Sequence, residues 1–147
     1  MEPPVPKLLA TSEAAALGLH AAVILAGSPD APVTTHELAD QLEASEAHLA
    51  KVMQRLGKAG LVRSTRGPKG GFVLGRPADS VSLLDVYEAI EGPIEPSACL
   101  FGRPVCGRKA CIFGDFLTEF ESRFRTYLAN ATLEALVEDE EKPDVRA

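Results

Sequence analysis

The stretch KVMQRLGKAGLVRSTRGPKGGFVLGR, residues 51–76, decides the fold. Leu49, just before it, joins Val52, Met53 and Leu56 in a one-sided apolar stripe at helical spacing. Gly60 then suits a left-handed helix stop. Leu61–Thr65 alternates apolar and polar residues as a half-buried strand does, and Phe72–Leu74 makes the return strand. Between them lies Arg66-Gly-Pro-Lys-Gly-Gly71, whose glycines and proline suit a sharp hairpin tip. The stretch carries seven basic residues (Lys51, Arg55, Lys58, Arg63, Arg66, Lys69, Arg76) and no acidic one, in a chain of net charge −6. A helix leading into a basic hairpin has the outline of a winged helix that meets DNA phosphates.

On the N-terminal side, Thr34-x-x-Glu37 has capping-box spacing and opens a short helix. Ser45 is an N-cap candidate for the helix through Leu56. Two short helices joined by a tight turn predict a helix-turn-helix. A more apolar helix is expected from about Ser12 to Ala26, ended by Gly27, Ser28, Pro29 and Asp30, after a flexible arm over residues 1–10.

On the C-terminal side, Ser82-x-x-Asp85 caps a helix from Leu83 to about Glu91, closed by Gly92. Residues 93–111 form a loop holding all three cysteines, Cys99, Cys106 and Cys111. A long helix follows, with Phe113, Phe116, Leu117, Phe120, Phe124, Tyr127 and Leu128 recurring every three or four residues. That stripe could pack on its own core. A dimer interface accounts better for so much aromatic surface outside a small winged helix. Thr132 caps a short terminal turn, and an acidic, disordered tail is expected after Val137.

The fold class is therefore mainly α with a small β-wing: a winged helix-turn-helix plus a long C-terminal dimerisation helix. The divisions expected are 8–92 for DNA binding, 93–111 for the cysteine loop, 112–137 for the dimerisation helix and terminal turn, and 138–147 for the tail. The chain has 147 residues, 46% hydrophobic and 24% charged, which suits one soluble domain. The acidic balance does not oppose DNA binding, because five acids sit in the tail (Glu138, Asp139, Glu140, Glu141, Asp144) and local field governs docking. No signal peptide or membrane-length apolar run is visible, so a cytoplasmic protein with no membrane partner is expected. No paired carboxylates, nucleophile–base motif or GxxxxGK[ST] loop stands out, which argues against an enzyme. An odd cysteine number in such a chain points to metal or redox chemistry rather than a disulfide framework.

The wing stretch, followed by VSLLDVYEAIEG, the three cysteines and ATLEAL, resembles the IscR/NsrR-type winged-helix transcriptional regulators (the Rrf family) from about Leu8 to Val137. The resemblance implies a homodimeric bacterial regulator that binds a palindromic double-stranded DNA operator. Its third helix would enter the major groove and its wing the flanking minor groove. The loop after the fourth helix would hold an iron–sulfur cluster, and cluster state would alter DNA affinity.

For DNA, Ser45, His48 and Lys51 lie on the early part of the third helix, the part that reaches base edges. Some relatives carry a Glu where this chain has Ala50, and its operator selectivity is not implied here. Arg66 at the wing tip suits a narrow minor groove. Arg55, Arg63 and Lys69, with Lys58, are phosphate contacts or solvated cations.

Cys99-x6-Cys106-x4-Cys111 departs from the more usual x5, x5 spacing of the family. Thiolates suit iron–sulfur clusters, zinc or copper(I). Arg103, Arg108 and Lys109 favour thiolate and offset cluster charge. A fourth ligand must come from elsewhere. Gly114 replaces the loop His of some relatives, and Ala16 the first-helix carboxylate of others. His20 matches a His that one cluster-binding branch supplies from the partner subunit; its plainer alternative is a core or boundary histidine, and Glu13 is a poorer ligand candidate. Three Cys and one His favour a 2Fe–2S cluster and admit a 4Fe–4S one. The alternative is the same DNA-binding regulator using its cysteines as a thiol redox switch or zinc site.

Overall fold

A computed structural model describes residues 11–94, 99–101 and 105–140. The order is α1 (Glu13–Ala26), α2 (Thr35–Gln41), α3 (Glu46–Lys58), β1 (Val62–Thr65), β2 (Gly71–Leu74), a 3₁₀ turn (Ala78–Ser80), α4 (Leu83–Glu91), α5 (Phe116–Asn130) and α6 (Leu133–Glu140). The chain is mainly helical with one small antiparallel sheet.

The helix starts follow from side chains that satisfy free backbone N–H groups. Ser12, Ser45 and Ser82 each accept from the backbone N–H three residues on, at 3.1 Å. Thr34 and Ser82 complete capping boxes with Glu37 and Asp85. Between α2 and α3 there is no glycine to turn the chain. Glu43 takes the left-handed conformation instead, at φ 51°.

The core lies among α1, α2, α3, α4, α6 and the base of the hairpin. Leu25, Leu38, Leu49, Met53, Leu56 and Leu133 are its largest fully buried side chains. Gly18 permits the close crossing of α1 with its neighbours, since a Cβ there would sit 3.2 Å from Ile90 Cγ1.

In the hairpin Val62 pairs with Leu74 and Arg63 with Val73. Cross-strand partners share a face, so Val62, Phe72 and Leu74 pack inward and Arg63 stays outside. Val33 adds a one-residue bridge to β2, with Val33 N–H donating to Phe72 O at 3.0 Å and Phe72 N–H to Val33 O at 2.8 Å. Gly71 is required there. Its φ is 153°, and a Cβ would lie 2.8 Å from the Val33 carbonyl.

Two expectations at the C-terminal end change. The long helix begins at Phe116 rather than directly after Cys111, and Phe113 lies in a preceding turn. The short terminal turn is an eight-residue helix, α6, that runs to Glu140, past the start of the expected tail at residue 138. It forms because Leu133 is wholly buried, while Leu83 N–H to Ala131 O (2.9 Å) and Leu133 N–H to Val81 O (3.0 Å) clamp its start against α4. The expected N-terminal arm (1–10), the rest of the tail (141–147) and Arg103 lie outside the described residues. No helix among the described residues is long and apolar enough to cross a membrane.

Candidate functional site

With about 100° per helical residue, the phase of α3 is set by its buried side chains Leu49, Val52, Met53 and Leu56. The opposite arc carries Ala47, Lys51, Gln54 and Lys58, all exposed. Lys51 therefore stands on the outward face. Ser45 is spent partly as a cap, its Oγ accepting from His48 N–H, though its own O–H proton is left to donate. His48 lies on the flank toward α1, half-buried, with Nδ1 4.0 Å from Glu13 Oε2. Arg55 lies on the same flank and donates from its guanidinium to Ile90 O at 3.3 Å. Gln54 was not singled out from the sequence, although its helical phase, opposite the apolar stripe, was there to be read.

On the other flank, His36 of α2 shares a short hydrogen bond with Glu46, the first residue of α3. That bond and the Glu46 charge raise the imidazole above its ordinary 6.5. The pair ties the two helices of the helix-turn-helix together at the surface.

In the wing, Arg63, Arg66 and Lys69 are all exposed. Gly70 N–H donates to Gly67 O at 2.9 Å and closes the turn. Arg66 comes immediately before that turn and Lys69 falls inside it. Arg76 faces elsewhere, donating to Asp85 Oδ2 at 3.2 Å and Ser80 O at 3.1 Å. Arg55 and Arg76 are exposed too but hydrogen-bond within the chain; the remaining cations of the basic stretch, Lys51, Lys58, Arg63, Arg66 and Lys69, are all exposed.

None of the three cysteines is in a disulfide; Cys106 is exposed, Cys99 and Cys111 half-buried. Phe113 N–H donates to Cys111 Sγ at 3.4 Å. Arg108 and Lys109 are exposed beside them. His20 is exposed on α1, not a core residue, with Nδ1 2.7 Å from Ala16 O. A carbonyl only accepts, so Nδ1 carries a proton, and in the neutral ring Nε2 then keeps a lone pair that could bind a metal. Among the described residues of one chain, no three His, Cys, Asp or Glu side chains converge as metal ligands, so His20 and the cysteines are not brought together there. In type, three unbridged thiols and an imidazole with an available Nε2 fit an iron–sulfur cluster or zinc.

Next to the cysteines, the rings of Phe113, Phe116, Phe120 and Phe124 follow one another at 6.2–6.3 Å. Of these rings Phe124 packs inward, edge-on to Tyr87 of α4 at 5.6 Å. Phe116, Phe120 and Tyr127 are 57%, 40% and 65% exposed.

A helix-turn-helix with an outward second helix and a basic wing defines a winged-helix DNA-binding protein. The chain belongs to the Rrf2 family, described as iron-dependent transcriptional regulators, whose family model matches residues 11–139. The HTH-type transcriptional regulator IscR of Xenorhabdus nematophila is 31% identical over 119 residues, 80% of this chain and 72% of that protein. Among solved structures, CymR, the global cysteine regulator of B. subtilis, matches with a TM-score of 0.74 and 29% identity over 89% of this chain and 98% of its own. T. potens IscR matches with a TM-score of 0.72 and 25% identity over 90% of this chain and 89% of its own. The protein is a DNA-binding transcriptional regulator, of a family of regulators and not enzymes.

Proposed function

We propose that this regulator is a homodimer that senses redox state, nitric oxide or iron–sulfur supply through a cluster held by Cys99, Cys106, Cys111 and His20 of the partner subunit. The observation that carries this reading is the set of three unbridged thiols, with Arg108 and Lys109 beside them, next to an uncovered aromatic helix. Cations near the sulfurs offset the negative charge of a thiolate-bound centre. The Nδ1 bond to Ala16 fixes the His20 tautomer with Nε2 available, as a ligand histidine requires. When bound, the cluster supplies a centre whose oxidation, nitrosylation or loss reports the cell's condition. A 2Fe–2S centre is favoured by the single imidazole, and a 4Fe–4S centre uses the same donors.

For the output, Ser45, His48 and Lys51 on α3 address the major groove of a palindromic operator, and Arg66 the adjacent minor groove. Arg63 and Lys69 meet the flanking phosphates. Two copies joined along α5 would present two such units to the two half-sites.

Anaerobically purified protein is expected to be brown, with iron and sulfide counts that give the nuclearity, and Cys106→Ala to lose the colour. Protein that stays colourless after anaerobic reconstitution with iron and sulfide sinks the cluster reading. The exposure of unbridged Cys106 also suits a second reading, a thiol switch or zinc site on the same regulator. Zinc content and thiol counts before and after peroxide separate it from the first.

A further inference from the structure

The last turn of α4 joins the DNA-facing half of the molecule to the cysteine segment. Gly92, at φ 84°, stops the helix there. Had the helix continued, Ile94 N–H would donate to Ile90 O. Each of those groups instead has a side-chain partner. Ile94 N–H donates to Glu88 Oε2 at 3.1 Å, and Ile90 O accepts from the Arg55 guanidinium of α3 at 3.3 Å. The second carboxylate oxygen of Glu88 lies 3.8 Å from Arg125 Nη1 on α5. Ser12, at the start of α1, hydrogen-bonds Glu91 on the same turn. The backbone leaving this turn at Ile94 leads, five residues on, to Cys99.

We propose that Arg55 is a positioning residue that couples the cysteine segment to the recognition helix, and not a contact to operator phosphate. A cation at a helix C-terminus is favoured by the unpaired carbonyls and by the helix dipole, so the bond has a physical reason to form. It is made from the flank of α3 that faces α4, away from the arc carrying Lys51 and Gln54. A shift of the chain at Ile94 pulls on Glu88 and re-aims the Ile90 carbonyl. Arg55 then either follows, turning α3, or lets go. That is the two-arrangement element which coupling between separate sites requires. The inference rests on the cysteine segment being the sensor, but not on which chemistry it senses.

The test uses full-length protein and a DNA duplex selected by this protein from a random-sequence pool. Affinity is measured across a salt series with the cysteine segment in two states. The states are cluster-loaded and cluster-free, and separately reduced and iodoacetamide-capped, so that failure to take up a cluster does not remove the test. For Arg55→Ala, the slope of log affinity against log salt is expected to match that of the unaltered protein, and the affinity ratio between the two states to fall toward one. Glu88→Gln, which leaves Arg55 intact, is expected to lower the same ratio. It decides the matter if Arg55→Ala fails a circular-dichroism check of folding. A slope reduced by about 0.9 for each lost phosphate contact, with the ratio kept, overturns the proposal. So does a ratio of one in the unaltered protein in both pairs of states, or a ratio unchanged by Glu88→Gln.

Discussion

Arg66 is exposed immediately before the turn that Gly67 and Gly70 close, so its guanidinium can reach well beyond the hairpin. Arg66→Ala is expected to weaken operator binding by roughly 1–3 kcal/mol. A gel-shift titration with no change would remove the wing from the DNA interface. His36 and Glu46 make a second residue-scale prediction. The imidazole is raised above 6.5 chiefly by its hydrogen bond to Glu46, so the pair's contribution is complete below that value and fades as pH climbs through the raised one. The melting temperature of His36→Ala should therefore fall below that of the unaltered protein in mildly acidic buffer and converge on it in alkaline buffer. Both side chains are largely exposed, so the difference should also shrink with added salt. At this scale the sequence was only half informative. Arg66 and Arg55 look alike in a basic run, and Ser45 and His48 look alike as hydrogen-bonding groups. What separates them is which neighbour each meets: a helix end for Arg55, a backbone N–H for Ser45, Glu13 for His48 and solvent for Arg66.

At the scale of elements, α2 and α4 were legible because their capping boxes are local, spanning Thr34–Glu37 and Ser82–Asp85. The hairpin was legible because its turn chemistry and alternation are local too. The connection through Glu43 was not, since a left-handed Glu carries no glycine signal. Nor was the bridge from Val33 to Phe72, which spans 39 residues and shows only as two long-range hydrogen bonds. The clearest case is α6. Eight residues of ordinary propensity make a marginal helix alone, but Leu133 is fully buried beneath it. Leu133→Ala should cost about 2–5 kcal/mol in urea unfolding. A loss under about 0.5 kcal/mol, the size of a surface change, would mean that α6 is an appendage and not part of the core.

For the whole molecule, the open question in the sequence was what covers the aromatic face of α5. Among the described residues of one chain only Phe124 finds a ring on another helix, and Phe116, Phe120 and Tyr127 stay exposed. If that face joins two copies, Phe116→Asp with Phe120→Asp should convert a dimer to a monomer in sedimentation velocity. It should also weaken palindrome binding by roughly 100-fold or more, because the second half-site is no longer held nearby. A double variant that still sediments as a dimer would place the interface elsewhere. Taken by itself, the sequence determined the starts of α1 to α4, the basic hairpin, the apolar stripe of α3 and the supply of three thiols, because each depends on residues a few positions apart. The tertiary structure decided what depends on distant partners. It gave Arg55 and Arg76 hydrogen-bond partners on α4, exposed His20, drew Leu133 into the core and left Phe116, Phe120 and Tyr127 of α5 exposed. Local spacing sets which backbone groups need a cap, but only packing decides which side chains are left over to meet DNA, a metal or a second chain.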